Sequence, residues 1–225
     1  MIPWEAVFLT LKLAAVSTVL LMLVATPLAW WLATTRFFLR PVVEAVTALP
    51  LVLPPTVLGF YLLILMSPDT ALGAAWVDLT GSTLTFSFAG LVIASVIYSL
   101  PFAVQPLQGA FQSVGQGTLE AAALMGAGRW DRFRSVAVPL AGRGFLTAIV
   151  LSFAHTLGEF GVVLMVGGNI PGETRVIAIE IYNAVETLEY EVAHRLSAGL
   201  LIASFAVLSF VYLLNRKSRG AHVGG

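Results

Sequence analysis

The chain contains no cysteine, only two lysines and few charges of either sign. Without cysteine there are no disulfides, no thiolate metal site and no thiol nucleophile. Charged residues make up 11% of the 225 positions, whereas a soluble domain of this size uses about a quarter to cover its surface. Basic and acidic residues balance at 12 each, so net charge points to neither nucleic acid nor an acidic partner. Lys12 and Lys217 follow no glycine-rich turn, which excludes a Walker A loop, whose lysine must reach the phosphates of ATP. His155, His194 and His222 lack metal-ligand spacing, so neither a metal nor a resident cofactor is expected. No catalytic cluster is evident, and a polytopic membrane enzyme would need one at an interface.

What is abundant is apolar: 58% of the residues are hydrophobic. A membrane span needs about 20 such residues at 1.5 Å each. Five stretches qualify, at about 13–34, 45–67, 84–111, 144–166 and 196–215. The expected fold is an all-α integral membrane bundle of about five helices, with residues 1–225 forming one domain. Met1-Ile2-Pro3-Trp4-Glu5 has no basic character, so the first apolar run is expected to stay as a helix rather than leave as a signal peptide.

The basic residues fall on one side of this arrangement. Arg36 and Arg40 follow the first stretch, Arg129, Arg132, Arg134 and Arg143 lie between the third and fourth, and Arg216, Lys217 and Arg219 follow the fifth. The alternate loops carry Asp69, Asp78, Glu173, Glu180, Glu186, Glu189 and Glu191 against only Arg175 and Arg195. Cytoplasmic loops collect Lys and Arg, so the N-terminus is expected outside and the C-terminus in the cytoplasm. Lys12 then lies near the outer end of the first span, where it can snorkel, and Trp30 and Trp31 mark its inner interface.

The inner loop at about 112–143 is too polar for lipid. Leu119, Ala122, Ala123 and Met125 read as one short helix, and Gly126-Ala127-Gly128 breaks it. Trp130, Phe133 and Ala137 read as a second helix, ended by Pro139. Such a hairpin either receives a partner or lies on anionic lipid. The outer loop, 167–195, predicts a turn at Asn169-Ile170-Pro171-Gly172 and then a surface helix within 174–191. The other loops are expected to be short.

Glu159 is the acidic residue set deepest in a predicted span, about 24 Å along the helix from Arg143. A carboxylate there is costly and faces the bundle interior or a water-filled path. Gly158 and Gly161 flank it and permit close approach of neighbours. It is read either as a gate element or as a structural carboxylate, and not as a ligand for an anion. His155 stands four residues before it, within hydrogen-bonding reach on a continuous helix. Pro50, Pro54 and Pro55 must disrupt the second helix, giving either a kinked pathway-lining element or a packing surface.

Glu120-Ala121-Ala122, then Gly126, then Val136-Ala137-Val138-Pro139 resembles the EAA signature of ABC importer permeases. Val136 and Val138 stand where that pattern has Ile and Leu. The resemblance implies a type I importer bundle. It also implies a homodimer of permease subunits, two cytoplasmic ATPase subunits that hold ATP and Mg, and an extracytoplasmic binding protein. It makes the inner loop, with Glu120, Ala121, Ala122, Gly126, Arg129, Trp130 and Pro139, the element coupled to the ATPase. His155-Thr156-Leu157-Gly158-Glu159-Phe160-Gly161 and Asn169-Ile170-Pro171-Gly172-Glu173-Thr174-Arg175 are similar to the molybdate and tungstate group of permeases. So is Leu49-Pro50-Leu51-Val52-Leu53-Pro54-Pro55-Thr56-Val57-Leu58-Gly59. The Gly-Glu-Phe-Gly part recurs in sulfate and thiosulfate permeases. This resemblance implies carriage of molybdate or tungstate across the inner membrane by alternating access, with Pro54, Pro55, Gly158, Glu159 and Gly161 in the pathway or gate. A sulfate permease is the alternative. An ion-coupled secondary transporter would need more intramembrane ionisable groups and repeated halves.

The topology is testable in this cysteine-free chain. Single cysteines at Thr70 and Thr187 should react with an impermeant thiol reagent added outside sealed cells, whereas cysteines at Arg132 and Ser218 should not. Labelling at 132 contradicts the orientation.

Overall fold

In the computed structural model, residues 3–220 are described, with side chains through residue 209. The cluster Arg216, Lys217 and Arg219 therefore lies beyond the described side chains, and His222 outside the described residues. Among the described residues the structure is helical throughout, without strands.

Three helices form the centre: α1 (Trp4–Thr34), α5 (Phe88–Val114) and α9 (Gly142–Leu157). The buried stripe of α1 runs through Leu13, Ala14, Ser17, Thr18, Leu21, Ala25, Ala29 and Leu32, a three- and four-residue spacing that follows one helical face. Most of these residues are small, and small side chains let backbones come close where lipid gives no hydrophobic drive to pack. Facing them, α5 buries Ala94, Ser95, Ser99, Ala103, Val104 and Leu107. Gly144 of α9 lies so tightly against α5 that a Cβ would overlap the Ala110 Cβ. The opposite faces carry Phe8, Val19, Leu23, Leu201, Ile202 and Phe205 outward, as a surface solvated by acyl chains requires.

The stretch expected as one kinked span at 45–67 is two helices. Helix α2 (Arg40–Ala48) and a 3-10 turn (Leu49–Leu51) stand at 109° to α3 (Pro55–Leu65). Pro54 and Pro55 remove two successive amides, and the residue before a proline is forced out of the helical region. Pro54 accordingly adopts φ −54°, ψ 136°, and Pro55 opens α3, where a missing amide costs nothing. Eleven residues of α3 rise only about 16 Å.

Other boundaries also shift. Helix α1 begins at Trp4, so Lys12 lies two turns inside it rather than at its end, with its ammonium 4.5 Å from the centre of the Phe88 ring. The fourth stretch is broken, with α9 separated from α10 (Gly161–Gly167) at residues 158–160. A helix α4 (Ala71–Thr80) occupies a loop expected to be short. Thr70 caps its first turn by accepting from the Gly73 amide, and Gly81 at φ 71° ends it. The surface helix of the outer loop is α11 (Ile177–Glu186). It is docked rather than loose: Ile179 is buried, and the free Ile177 amide donates to the Thr10 hydroxyl of α1 at 2.9 Å. The last helix, α12 (Tyr190–Gly220), starts before the expected residue 196 and lies at the periphery against α9 and α11.

Among the described residues, three helices are long and apolar enough to cross a membrane: Trp4–Thr34, Phe88–Val114 and Tyr190–Ser209. Two bent pairs, Arg40–Leu51 with Pro55–Leu65 and Arg129–Leu140 with Gly142–Leu157, raise this to five if each is one span.

The contact of α5 with α9 gives a stability test. Gly144→Leu forces side-chain atoms into Ala110 and the Pro106 carbonyl. It should cost about 1–3 kcal/mol, as overpacking does. Gly142→Ala, where a Cβ meets nothing within 4 Å, should leave thermal unfolding of the purified protein unchanged. Equal melting of the two variants contradicts the tight contact.

Candidate functional site

Two irregular regions hold the residues singled out from the sequence. The first lies where α9 stops and α10 begins. Gly158 closes α9, and Phe160 at φ −122° precedes Gly161. A Cβ on Gly161 would sit 2.7 Å from the Pro55 Cβ, and one on Gly59 would sit 2.7 Å from the Met165 Cβ. The broken end of α3 is thus set directly against the break before α10, through two glycines. The structure brings Pro55, Gly158, Glu159 and Gly161 together around a cavity of about 600 Å³, with Thr56, Tyr98 and His155 also in its wall. Pro54 caps α3 beside it.

Glu159 is 3% exposed. Ser95 on α5 is the hydroxyl within reach of it, yet neither Ser95 Oγ nor either carboxylate oxygen is held in a hydrogen bond of good geometry among the described residues. A buried carboxylate without a donor carries a desolvation cost of several kcal/mol. It also sits just past the C-terminal end of α9, where the helix dipole disfavours negative charge. The expected His155–Glu159 hydrogen bond is absent because the helix ends between them. Instead, His155 Nδ1 lies 2.9 Å from Ser99 Oγ, and its ring stacks on Phe102 with centres 4.0 Å apart. His155 is held structurally, and Glu159 is left alone in the cavity wall.

The second region is a helical hairpin at the end of the bundle where α1 and α5 terminate. Helix α6 (Gln116–Leu124) ends in a reciprocal backbone motif: the Gly126 amide donates to Ala123 O and the Ala127 amide to Ala122 O, both at 3.0 Å. That motif needs a left-handed residue, and Gly126 has φ +92°. The chain re-enters helix at α7 (Arg129–Asp131), widens into a π-helical segment (Arg132–Ala137) and continues as α8 (Val138–Leu140). Pro139 therefore does not end this helix. Having no amide of its own, it interrupts the ladder, and the Val138 amide reaches five residues back to Phe133 O. The turn comes at Ala141, with a bend of 71° into α9.

Ala137 is fully buried, and Phe133 packs between Trp30 of α1 and Phe111 of α5, with ring centres at 5.4 and 6.1 Å. Ala122 is buried, whereas Glu120, Ala121, Arg129 and Trp130 face outward. At the tip, Leu124, Met125 and Trp130 are 91%, 84% and 67% exposed. Exposed apolar residues on an ordered, polar-flanked turn mark an interaction surface. Sequence reasoning used Met125 only as a helix former and passed over Leu124. Their position immediately before the turn glycine is the signal that marks both as tip residues.

The Asn169–Arg175 segment forms a closed turn elsewhere. The Arg175 Nε donates to Asn169 Oδ1 at 2.6 Å, Asn169 pairs with Asn183 at 2.8 Å, and Gly172 has φ +77°.

Residues 25–219 match the binding-protein-dependent transport system inner membrane component family, and the chain belongs to it. Within that family it is 56% identical to the molybdenum transport system permease protein ModB of Azotobacter vinelandii, over 96% of this chain and 95% of that protein. It is 35% identical to ModB of Escherichia coli K12, over 94% and 91%. The sulfate transport system permease protein CysT of E. coli K12 is 31% identical, over 84% of this chain and 68% of that protein. Among solved structures, the fold is shared with a bacterial ABC transporter that imports alginate (TM-score 0.76, 17% identity, 95% and 78% covered). It is also shared with the MetNI methionine ABC transporter (TM-score 0.73, 19% identity, 94% of each chain). The chain is thus an inner-membrane permease of the ABC importer type.

Replacing the isolated carboxylate separates charge from shape. Glu159→Gln should assemble and melt like the unaltered protein, because no hydrogen bond within the chain is lost. It should nevertheless change the transport rate measured in proteoliposomes. Unchanged transport would leave Glu159 a structural residue.

Proposed function

We propose that this chain passes molybdate, or the similarly shaped tungstate, across the inner membrane as the non-catalytic subunit of an ATP-driven importer. The observation that carries the substrate is the 56% identity to a molybdenum permease over nearly the full length of both proteins. The sulfate relative is more distant and longer, which favours molybdate. ATP hydrolysis is assigned to separate subunits, since neither lysine sits in a phosphate-binding loop.

In this reading two copies of the chain enclose the pathway, and a separate extracytoplasmic protein delivers the oxyanion. The helical hairpin docks on the ATPase through Leu124, Met125 and Trp130, with Glu120 and Arg129 at its flanks. Its aromatic seat on Trp30 and Phe111 links movement at the tip to the ends of α1 and α5. The paired breaks at Pro54–Pro55 and Gly158–Gly161 supply the hinge, with Glu159 as part of the gate. A carboxylate repels a dianion, so it closes or lines the path rather than holding cargo.

Gly126→Val places a β-branched residue at φ +92° and should cost about 1–2 kcal/mol locally. Glu120→Arg reverses an exposed charge. Both variants should insert in normal amounts, retain less co-purified ATPase and take up molybdate at least several-fold more slowly, with sulfate a poor competitor for the unaltered protein. Normal ATPase retention and uptake in both variants would remove the hairpin from the coupling role, and strong competition by sulfate would move the substrate to that anion.

A further inference from the structure

Beside the hairpin lies a second cavity, of about 530 Å³, which shares Glu120, Arg129, Trp30 and Phe111 with the coupling element but also holds Arg36 and Arg132, which that role does not use. Its polar wall brings together Arg36 from the α1–α2 linker, Arg129 and Arg132 from the hairpin, Gln112 and Gln116, and one acid, Glu120. Three cations against one anion is an unbalanced set. Among the described residues none of these four charged groups forms an ion pair. Arg36 reaches only the Gln116 side-chain oxygen, at 3.4 Å. The Nε of Arg132 is shut off from solvent and has no acceptor. A buried donor left unmatched forfeits a hydrogen bond's worth of free energy, and a guanidinium is a planar fork shaped to meet two oxygens at once.

Two further features share this wall. Helix α6 begins here at Gln116, preceded by Gly115, so no side chain caps its first amides, and those amides carry partial positive charge. Apart from Thr34, the remaining wall is apolar, with Trp30, Trp31, Phe111 and Leu119. Tryptophans at a helix end belong at headgroup depth. The combination is amphipathic, with an oxygen-accepting mouth set beside an aromatic slot.

We propose that this cleft binds a tetrahedral phosphate-class oxyanion, held by Arg36 and Arg132 and presented either on an anionic lipid headgroup or free in solution. The binding is independent of which cargo the pathway carries.

The test uses the assembled permease–ATPase complex in nanodiscs. In phosphatidylglycerol discs, native mass spectrometry counts lipids retained after release; in phosphatidylcholine discs, calorimetry titrates inorganic phosphate. Retention of phosphatidylglycerol without phosphate binding identifies the headgroup, and saturable phosphate binding identifies the free anion. Arg36→Gln and Arg132→Gln should each weaken the signal about tenfold, the effect of losing one charge-assisted hydrogen bond. Arg36 lies on an exposed linker, so its variant reads binding without a folding defect. Arg132→Lys, which keeps charge but loses the fork, should fall between. Arg195→Gln removes the same charge from the start of α12 and should bind normally. Binding of neither probe by the unaltered complex overturns the proposal, as does equal loss in Arg195→Gln. So does loss of the ATPase, with lipid and phosphate binding intact, in the Arg36 and Arg132 variants; that result would make the cleft a protein contact.

Discussion

Inside a bilayer no water is at hand for a free backbone amide or carbonyl, so every departure from regular helix must be covered by protein. This chain contains two such departures within its apolar stretches, at Pro54–Pro55 and at residues 158–160, and it places one against the other. The contact is possible because Gly59 and Gly161 carry no Cβ, and because α1, α5 and α9 pack against one another as a frame held by small residues. The mutual cover of two broken helices requires the close central packing. The tightness of Ala103, Ala148 and Gly144 is thus a condition for irregularity elsewhere, and not only a source of stability.

The same frame explains why the polar residues lie where they do. Serine and threonine hydroxyls on α1, α5 and α9 are small enough for the packed faces, and several bond to their own helix, as Thr10 does to Ala6 O and Thr156 to Ser152 O. Between helices, the Ser99 hydroxyl meets both His155 Nδ1 and the Thr156 hydroxyl. Glu159 differs: both of its carboxylate oxygens are shut off from solvent without a hydrogen bond of good geometry, and the helix that would have offered His155 as a partner has already ended. The broken helix creates both the cavity and the isolation of the carboxylate.

Much of this was legible in the sequence. Uncharged runs located α1 and α5, and a polar inner loop broken at Gly126-Ala127-Gly128 located the hairpin. Other features required the fold. Three prolines announce a disturbance, but a kink and a 109° turn have the same local cause, and the choice depends on what packs beyond it. Pro139 was read as a stop, whereas a widened turn absorbed its missing amide. Helix α4 went unread because Asp69 and Asp78 mark the segment as a loop, although Thr70 and Gly81 bracket it as cap residues. The pairing of His155 with Ser99 was invisible because its partner lies 56 positions away. The cleft beside the hairpin joins arginines separated by nearly a hundred positions, so charge counting gave them a side of the membrane but no common site.

The π-helical turn behind the hairpin has a mechanical consequence. The turn is closed by the Val138 amide on Phe133 O, so it follows Phe133 and sets the phase of the residues that lead from the hairpin into α9. Phe133 between Trp30 and Phe111, and the buried Ala137 behind it, key the hairpin to α1 and α5. In the coupling role proposed above, a movement at Leu124 and Met125 would bear on two long helices, whose far ends carry Lys12, Phe88 and the Thr10 anchor of α11. A wedge of three aromatic rings would then serve as the gear by which a twist at one face of the membrane is answered at the other.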